Sequence, residues 1–300
     1  MSSMKDQFTV HFWGVRGSIA CPGAETVRYG GNTPCVEMRL GGKRLIFDGG
    51  TGLRVLGQHL LSQMPVEAYM FFTHSHWDHI QGFPFFVPAF IKGNKFHIYG
   101  AVAPNGATIK QRLNDQMLHP NFPVPLQIMG AQLEFKDLEI GQNLEIGSIT
   151  VENRLLNHPG EAVGYRVNWN GRTAAYITDT EHYRDRLDPN VLDLARDADV
   201  AIYDATYTDE EYHDPKSSKK GWGHSTWQEA VKIAEAANVK QLVIFHHDPL
   251  HNDDFLDEIG QNVKAAFPNS VMAQEGMTIY VSAPTAVVMP DATENAKVSV

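Results

Sequence analysis

Apolar runs of strand length recur along this chain, and several stop at a polar residue able to bind a metal or carry a proton. Residues 66–72 lead to His74, residues 173–178 to Asp179, residues 200–203 to Asp204 and residues 241–245 to His246. Runs of that length read as strands of a sheet. A polar residue just past each strand end is how a sheet gathers distant side chains onto one rim. Further strands are expected at 8–13, 35–40, 44–47, 95–99, 149–156 and 162–169.

Between the strands the apolar period changes to that of helices. Thr226 and Glu229 have the spacing of a capping box, and Trp227, Ala230, Val231 and Ala234 then follow at i, i+3, i+4 and i+7, so a helix should start just beyond His224. Other helices are expected at 53–61, 107–118, 189–197 and 253–267. Pro and Gly punctuate 82–106 and 119–130, which read as loops near the site. Strands interleaved with helices give an α/β fold. A single domain is expected over residues 1–280, followed by a weakly patterned tail over 281–300.

The chemistry concentrates in Thr73-His74-Ser75-His76-Trp77-Asp78-His79. Imidazole nitrogens and carboxylate oxygens are the donors that Zn2+ prefers, and four of them in six residues suit a turn leaving a strand. A two-metal centre needs about seven protein donors, so the run must be completed from elsewhere. On this reading His74, His76 and His158 hold one divalent ion, Asp78, His79 and His246 hold the other, and Asp179 bridges them. Zn2+ is the first expectation for both ions, with Mn2+ or Fe2+ accepted by the same donors. Asp48 ends another strand and reads either as a hydrogen-bond partner of one histidine or as a turn residue. The glycine-rich turns at 13–18 and 29–33 offer Arg16, Ser18, Asn32 and Thr33 as anion contacts, or form ordinary hairpins. Phe83, Phe85, Phe86 and Phe90 follow the cluster, where an aromatic ring could stack on a base or sugar, and most of them are expected in the core.

Composition narrows the partners. With 43% hydrophobic residues in 300, the chain can bury a substantial core. The start of the chain shows no basic segment followed by an apolar one, and no apolar stretch approaches the length of a membrane span. A soluble, cytoplasmic protein without a membrane partner is expected. Cys21 and Cys35 are too few for a disulfide framework and should be free thiols. A net charge of −10 opposes long-range attraction of a polyanion, so extended nucleic acid is not the expected partner. Two divalent cations less two carboxylates and a hydroxide leave about one positive charge locally, which suits a small anionic substrate.

These marks together resemble the metallo-β-lactamase-fold hydrolases, in the branch of tRNA 3′-processing endonucleases and phosphoribosyl cyclic phosphodiesterases. The residues that carry the resemblance are Gly49-Gly50-Thr51-Gly52 after Asp48, the histidine run, His158, Asp179, Asp204-Ala205-Thr206-Tyr207, Gly223-His224-Ser225-Thr226 and His246. The resemblance implies a four-layer αββα sandwich with two metals at one edge of paired sheets. It also favours His246 over the adjacent His247 as the metal donor. His224 is implied to stand by the leaving-group oxygen, oriented by Asp204, so that His224, Asp204 and Asp78 are the expected catalytic residues. A helix start beyond His224 disfavours its imidazolium and the Asp204 carboxylate favours it.

The expected activity is hydrolysis of a small cyclic phosphodiester, a ribose cyclic phosphate or cyclic nucleotide. One departure stands against an exact transfer of substrate: the amino-terminal cysteine cluster of some phosphoribosyl cyclic phosphodiesterases is missing here. The alternatives are tRNA 3′ processing, which would call for a tRNA-gripping arm and basic surface, thioester or lactone hydrolysis on the same metals, and metal-dependent nucleotide sensing without turnover. Relatives often form dimers, which makes a homodimer the assembly to test for.

Overall fold

The computed structural model describes residues 7–282 and 285–290. In chain order its strands are β1 (Thr9–Gly14), β2 (Cys35–Leu40), β3 (Lys43–Phe47), β4 (Glu67–Phe71), β5 (Lys95–Ala101), β6 (Gln132–Leu138), β7 (Leu144–Ile146), β8 (Ile149–Leu156), β9 (Ala162–Trp169), β10 (Arg172–Ile177), β11 (Val200–Asp204), β12 (Leu242–Phe245), β13 (Ser270–Met272), β14 (Thr278–Tyr280) and β15 (Ala286–Val288). They form two sheets, ordered β15-β14-β1-β2-β3-β4-β5-β6 and β13-β12-β11-β10-β9-β8-β7. The α-helices are α1 (Gly52–Leu60), α2 (Trp77–Ile80), α3 (Ile109–Asp115), α4 (Pro189–Ala195), α5 (Asp209–Tyr212), α6 (Trp227–Ala236) and α7 (Asp253–Ala266).

The apolar runs exist because both faces of the central strands are covered. Along β10, Ala174 and Tyr176 enter the core between the sheets, where they meet Phe47 and Phe71 of the first sheet and Ile202 and Phe245 of the second. Ala175 and Ile177 face the other way and pack beneath α4, α6 and α7. Leu53, Leu56 and Leu60 of α1 and Ile109 and Leu113 of α3 cover the outer face of the first sheet. The layers therefore run helix, sheet, sheet, helix, as the α/β reading and the resemblance implied.

Register brings the polar strand ends together. β10, β11 and β12 are parallel, with Ile177, Tyr203 and Ile244 in one row, so Asp179, Asp204 and His246 emerge at the same rim. β9 is antiparallel to both β8 and β10, so β8 runs with β10 and delivers His158 to that rim as well. In the first sheet Phe47 and Phe71 are parallel partners, which places Asp48 beside the chain entering His74. The turn after β1 ties the sheets together: His247 N donates to Val15 O at 3.0 Å and Gly17 N to His247 O at 2.9 Å.

Several elements escaped the sequence pattern for simple reasons. β7, β13, β14 and β15 have three residues each, too short to show a period, and β6 is a half-exposed edge strand without clean alternation. β15 falls within the expected tail and pairs antiparallel with β14; residues 291–300 of that tail lie outside the described residues. The helix expected at 107–118 is shorter, starting after the Thr108 cap. Only half of the expected capping box forms on α6: Thr226 Oγ1 accepts from Glu229 N at 3.3 Å, while the Glu229 carboxylate turns to Lys232. Phe83 and Phe86 are core residues and Phe85 is exposed. Among the described residues, no helix is long and apolar enough to cross a membrane.

Candidate metal centre

Asp48, Asp179 and His246 all adopt left-handed backbone near their strand ends, with φ of 60°, 55° and 64°. Such a conformation costs a non-glycine residue about 1–3 kcal/mol and persists where the surroundings hold it. Two groups of donors, each with its atoms within 4.8 Å, result: His74, His76, His158 and Asp179, and Asp78, His79, Asp179 and His246. Asp179 belongs to both and divides its oxygens between them. Oδ1 lies 3.1 Å from His79 Nε2 and 3.3 Å from His246 Nε2, whereas Oδ2 lies 3.7 Å from Nε2 of both His74 and His158. Asp78 Oδ2 stands 3.2 Å from His79 Nε2 and 3.3 Å from His246 Nε2, and His158 Nε2 is 3.1 Å from His76 Nδ1.

Donor type and spacing both fit divalent cations. Two donors bound to one tetrahedral ion at about 2.0–2.1 Å stand about 3.3 Å apart. His74 Nε2 and His79 Nε2 are moreover buried without a hydrogen-bond partner, a costly state that a cation between the donors relieves. Burial, reinforced by the neighbouring His79, holds the His74 pKa well below its ordinary value, and burial lowers His76 and His158 too. These are the neutral imidazoles that metal binding requires. Burial opposes a charge on His79, yet Asp179, Asp78 and Asp48 together raise its pKa well above the usual value. Three carboxylates at one ring call for positive charge there.

The other nitrogens of His74, His79, His158 and His246 are held from behind. His79 Nδ1 donates to Asp48 Oδ2 at 2.8 Å, and that carboxylate also accepts from Tyr176 OH at 2.9 Å and Thr73 N at 2.8 Å. Asp48 is thus both a turn residue and a histidine partner. His74 Nδ1 donates to Thr73 Oγ1 at 3.0 Å, and His158 Nδ1 to Gly223 O at 2.8 Å. His246 Nδ1 donates to Thr206 Oγ1 at 3.1 Å, whose hydroxyl in turn donates to Asp204 Oδ1 at 2.7 Å. Each bond selects the tautomer whose Nε2 lone pair faces the cluster. His247 lies outside both groups: Nε2 donates to Ala273 O at 2.9 Å, and burial with the nearby Arg16 lowers its pKa to about 3.

His224 stands at the same rim with a different partner. Its Nδ1 donates to Asp204 Oδ2 at 2.9 Å, and its ring stacks on His246 with centroids 4.9 Å apart. Burial pushes its pKa down, but Asp204, then Asp179 and Asp78, outweigh it and bring the value to about 9. The carboxylate prevails over the helix because α6 begins beyond the Thr226 cap and its field fades within a turn. Asp179, Asp204, His224 and His246 also form a compact donor group, but His224 Nδ1 is already spent on Asp204. The loop before His224 is held by Glu181, whose carboxylate accepts from Tyr212 OH at 2.5 Å, Gly221 N at 2.8 Å and Gly223 N at 2.9 Å.

An open cavity of about 430 Å3 exposes the centre and is lined by Ser18, Ser75, His76, Trp77, Asp78, Asp179 and His224. Of the expected anion contacts, only Ser18 reaches it, and its amide is spent on Asp78 Oδ2 at 2.8 Å. Arg16 is fully buried and bonds to Gly30 O, Asp248 O and His251 O, so its charge ties loops together. Asn32 is bound to Glu275 and Thr33 to Thr51. Thr73, Thr206, Glu181 and Trp77 carried no sequence signal of their own, because hydroxyls, a lone carboxylate and a tryptophan are common everywhere.

Two glycines are required by the histidines they touch. A Cβ on Gly17 would meet His246 Cε1 and Nδ1 at 2.5 Å, and one on Gly223, at φ +87°, would meet His158 Nδ1 at 2.3 Å. Gly17→Ala should therefore weaken metal binding through His246, and Gly223→Ala through His158. Metal content per folded chain, measured beside circular dichroism, checks this; full metal content in both variants would contradict it.

Known proteins place this arrangement. A curated Ribonuclease Z from Archaeoglobus fulgidus is 23% identical over 326 aligned positions, covering 92% of this chain and 98% of the relative. A second Ribonuclease Z, from Thermococcus gammatolerans, is 29% identical, covering 72% of this chain and 78% of the relative. Among solved structures, the metallo-beta-lactamase fold protein YhfI from Bacillus subtilis superposes with a TM-score of 0.69 at 20% identity, covering 92% of this chain and all of that one (100%). The Beta-lactamase superfamily domain matches residues 43–247, from the strand that ends at Asp48 to the pair His246-His247, and the chain belongs to that family.

Proposed function

We propose that this chain is a metal-dependent phosphodiester hydrolase whose substrate is a small cyclic phosphodiester, a ribose cyclic phosphate or a cyclic nucleotide. The observation that carries the reading is the His224–Asp204 pair beside the cavity that also exposes Asp78 and Asp179. Two divalent cations would be held by His74, His76 and His158, by Asp78, His79 and His246, and by Asp179 between them; when bound they supply Lewis acidity and an activated water.

The chain's own groups do the rest. Asp204 accepts the hydrogen bond from Nδ1–H of His224 and stabilises the imidazolium, which leaves Nε2–H as the group able to give a proton to the departing alkoxide. Asp204 is itself fixed by Thr206 Oγ1 at 2.7 Å and by Thr180 N at 3.1 Å, so the imidazole cannot swing freely. A thiolate departs without a proton, so this pair is surplus to thioester hydrolysis. One catalytic domain over residues 1–280 agrees with a rim to which both sheets contribute. The unpaired Cys21 and Cys35 agree with a reducing cytoplasm.

A compact substrate is supported by the net charge of −10 and by a cavity of about 430 Å3, the size of a small-molecule site. The relatives' name, ribonuclease, favours a second reading in which the diester belongs to RNA. Turnover of adenosine 2′,3′-cyclic phosphate, precursor tRNA, a thioester and a β-lactam by the zinc-loaded chain separates these. The cyclic phosphate should turn over fastest; preference for precursor tRNA would replace the first reading with the second, and preference for the thioester or lactam would remove both.

A further inference from the structure

Trp77 lies between two donors of the metal centre, His76 and Asp78, and opens α2. It is 79% exposed and lines the cavity shared with Asp78, Asp179 and His224. The other four tryptophans are all engaged. Trp13 donates to Glu37 and stacks near His59, Trp169 donates to Ser148, Lys219 caps the Trp222 ring at 4.2 Å, and Trp227 packs on the outer core of the second sheet. Among the described residues, no ring, cation or hydrogen-bond partner meets the Trp77 side chain. A large apolar ring left in water forfeits the favourable burial of its faces, and its indole N–H is an unspent donor.

We propose that Trp77 is a stacking platform for the planar ring of the substrate, so that the site prefers phosphodiesters carrying a nucleobase over those built on a bare sugar. This rests on the phosphodiesterase reading only for the reaction, not for the binding. Whatever covers the indole shares a small open cavity with the group bound at Asp78 and Asp179, which calls for a planar ring a few bonds from a phosphate. A base offers a π face to the indole whatever its identity, so the platform selects for the presence of a base rather than for one base. Trp77 then acts on specificity, and His224 on the rate.

The test needs no turnover. Calorimetric affinities of AMP and ribose 5-phosphate are measured on the zinc-loaded full chain, its Trp77→Ala variant and its Trp77→Phe variant. The expected result is a preference of the parent chain for AMP by about tenfold or more, as for one stacked base. That ratio should collapse toward one in W77A and recover in large part in W77F. A parent chain without preference, a ratio unmoved in W77A, or an equal loss for both ligands overturns the proposal; the last would mean that the indole supports the site or is covered by a second copy of the chain. If the AMP preference depends on Trp77 while no phosphodiester is hydrolysed, the platform stands and the hydrolase reading falls.

Discussion

Asp179→Ala is expected to abolish hydrolysis by emptying the metal centre. Among the described residues no other serves both donor groups, with Asp179 Oδ1 turned to His79 and His246 and Oδ2 to His74 and His158. Removing it takes a donor from each side and leaves a ring of buried imidazoles facing one another. Asp179→Asn should fail almost as fully, because the amide nitrogen cannot donate a lone pair to either side. His79→Ala should also lose metal, and it removes one of the hydrogen bonds that hold the buried Asp48 carboxylate, leaving those from Tyr176 and Thr73. Asp179→Ala is the cleaner variant for that reason. Metal analysis on folded protein, followed by turnover with excess Zn2+, checks the expectation; an Asp179→Ala protein that binds metal and retains activity would remove the bridging role.

His224→Ala should behave differently: it keeps its metal and loses a factor of about 10² to 10⁴ in rate. The reason is geometric, since His224 bonds Asp204 through Nδ1 and faces the cavity without belonging to either of the two four-donor groups that His74, His76, Asp78, His79, His158, Asp179 and His246 form. The loss should fall on kcat, because protonating a leaving oxygen matters only as that bond breaks. The pH profile gives a second readout. His224 must be protonated to act, and its carboxylate neighbours raise its pKa to about 9, so activity falls as pH rises through the titration. Bound cations would lower that midpoint, so the sharper expectation is a shift: Asp204→Asn removes the leading carboxylate and should move the alkaline fall to lower pH. Unchanged activity in metal-loaded His224→Ala would eliminate the general-acid role.

Much of this centre was legible in the chain because its signal is local. His74 to His79 fall within one strand-to-helix turn, and Asp179, Asp204 and His246 each close an apolar run, so residue type and position coincide. Asp48 was legible only as an alternative, since a carboxylate at a strand end looks the same whether it caps a turn or holds His79. Arg16 shows the opposite failure: a cation in a glycine-rich turn suggests an anion site, and the fold spends it on buried carbonyls. Glu181 was invisible and Thr73 and Thr206 stood in the motif runs without a role, because a hydroxyl or carboxylate becomes a positioning group only through what it meets across the chain.

The sequence by itself determined the candidate donors and most of the strands that carry them, since hydrophobic periodicity and ligand chemistry are properties of neighbouring residues. Tertiary structure alone decided how those donors divide, that Asp179 turns one oxygen to each group, that His246 faces the rim while His247 bonds to a carbonyl, and that Trp77 stays uncovered. These outcomes depend on parallel register between strands far apart in sequence and on left-handed turns at Asp179 and His246. A side chain's direction in space is set by the packed whole, and no local pattern encodes it.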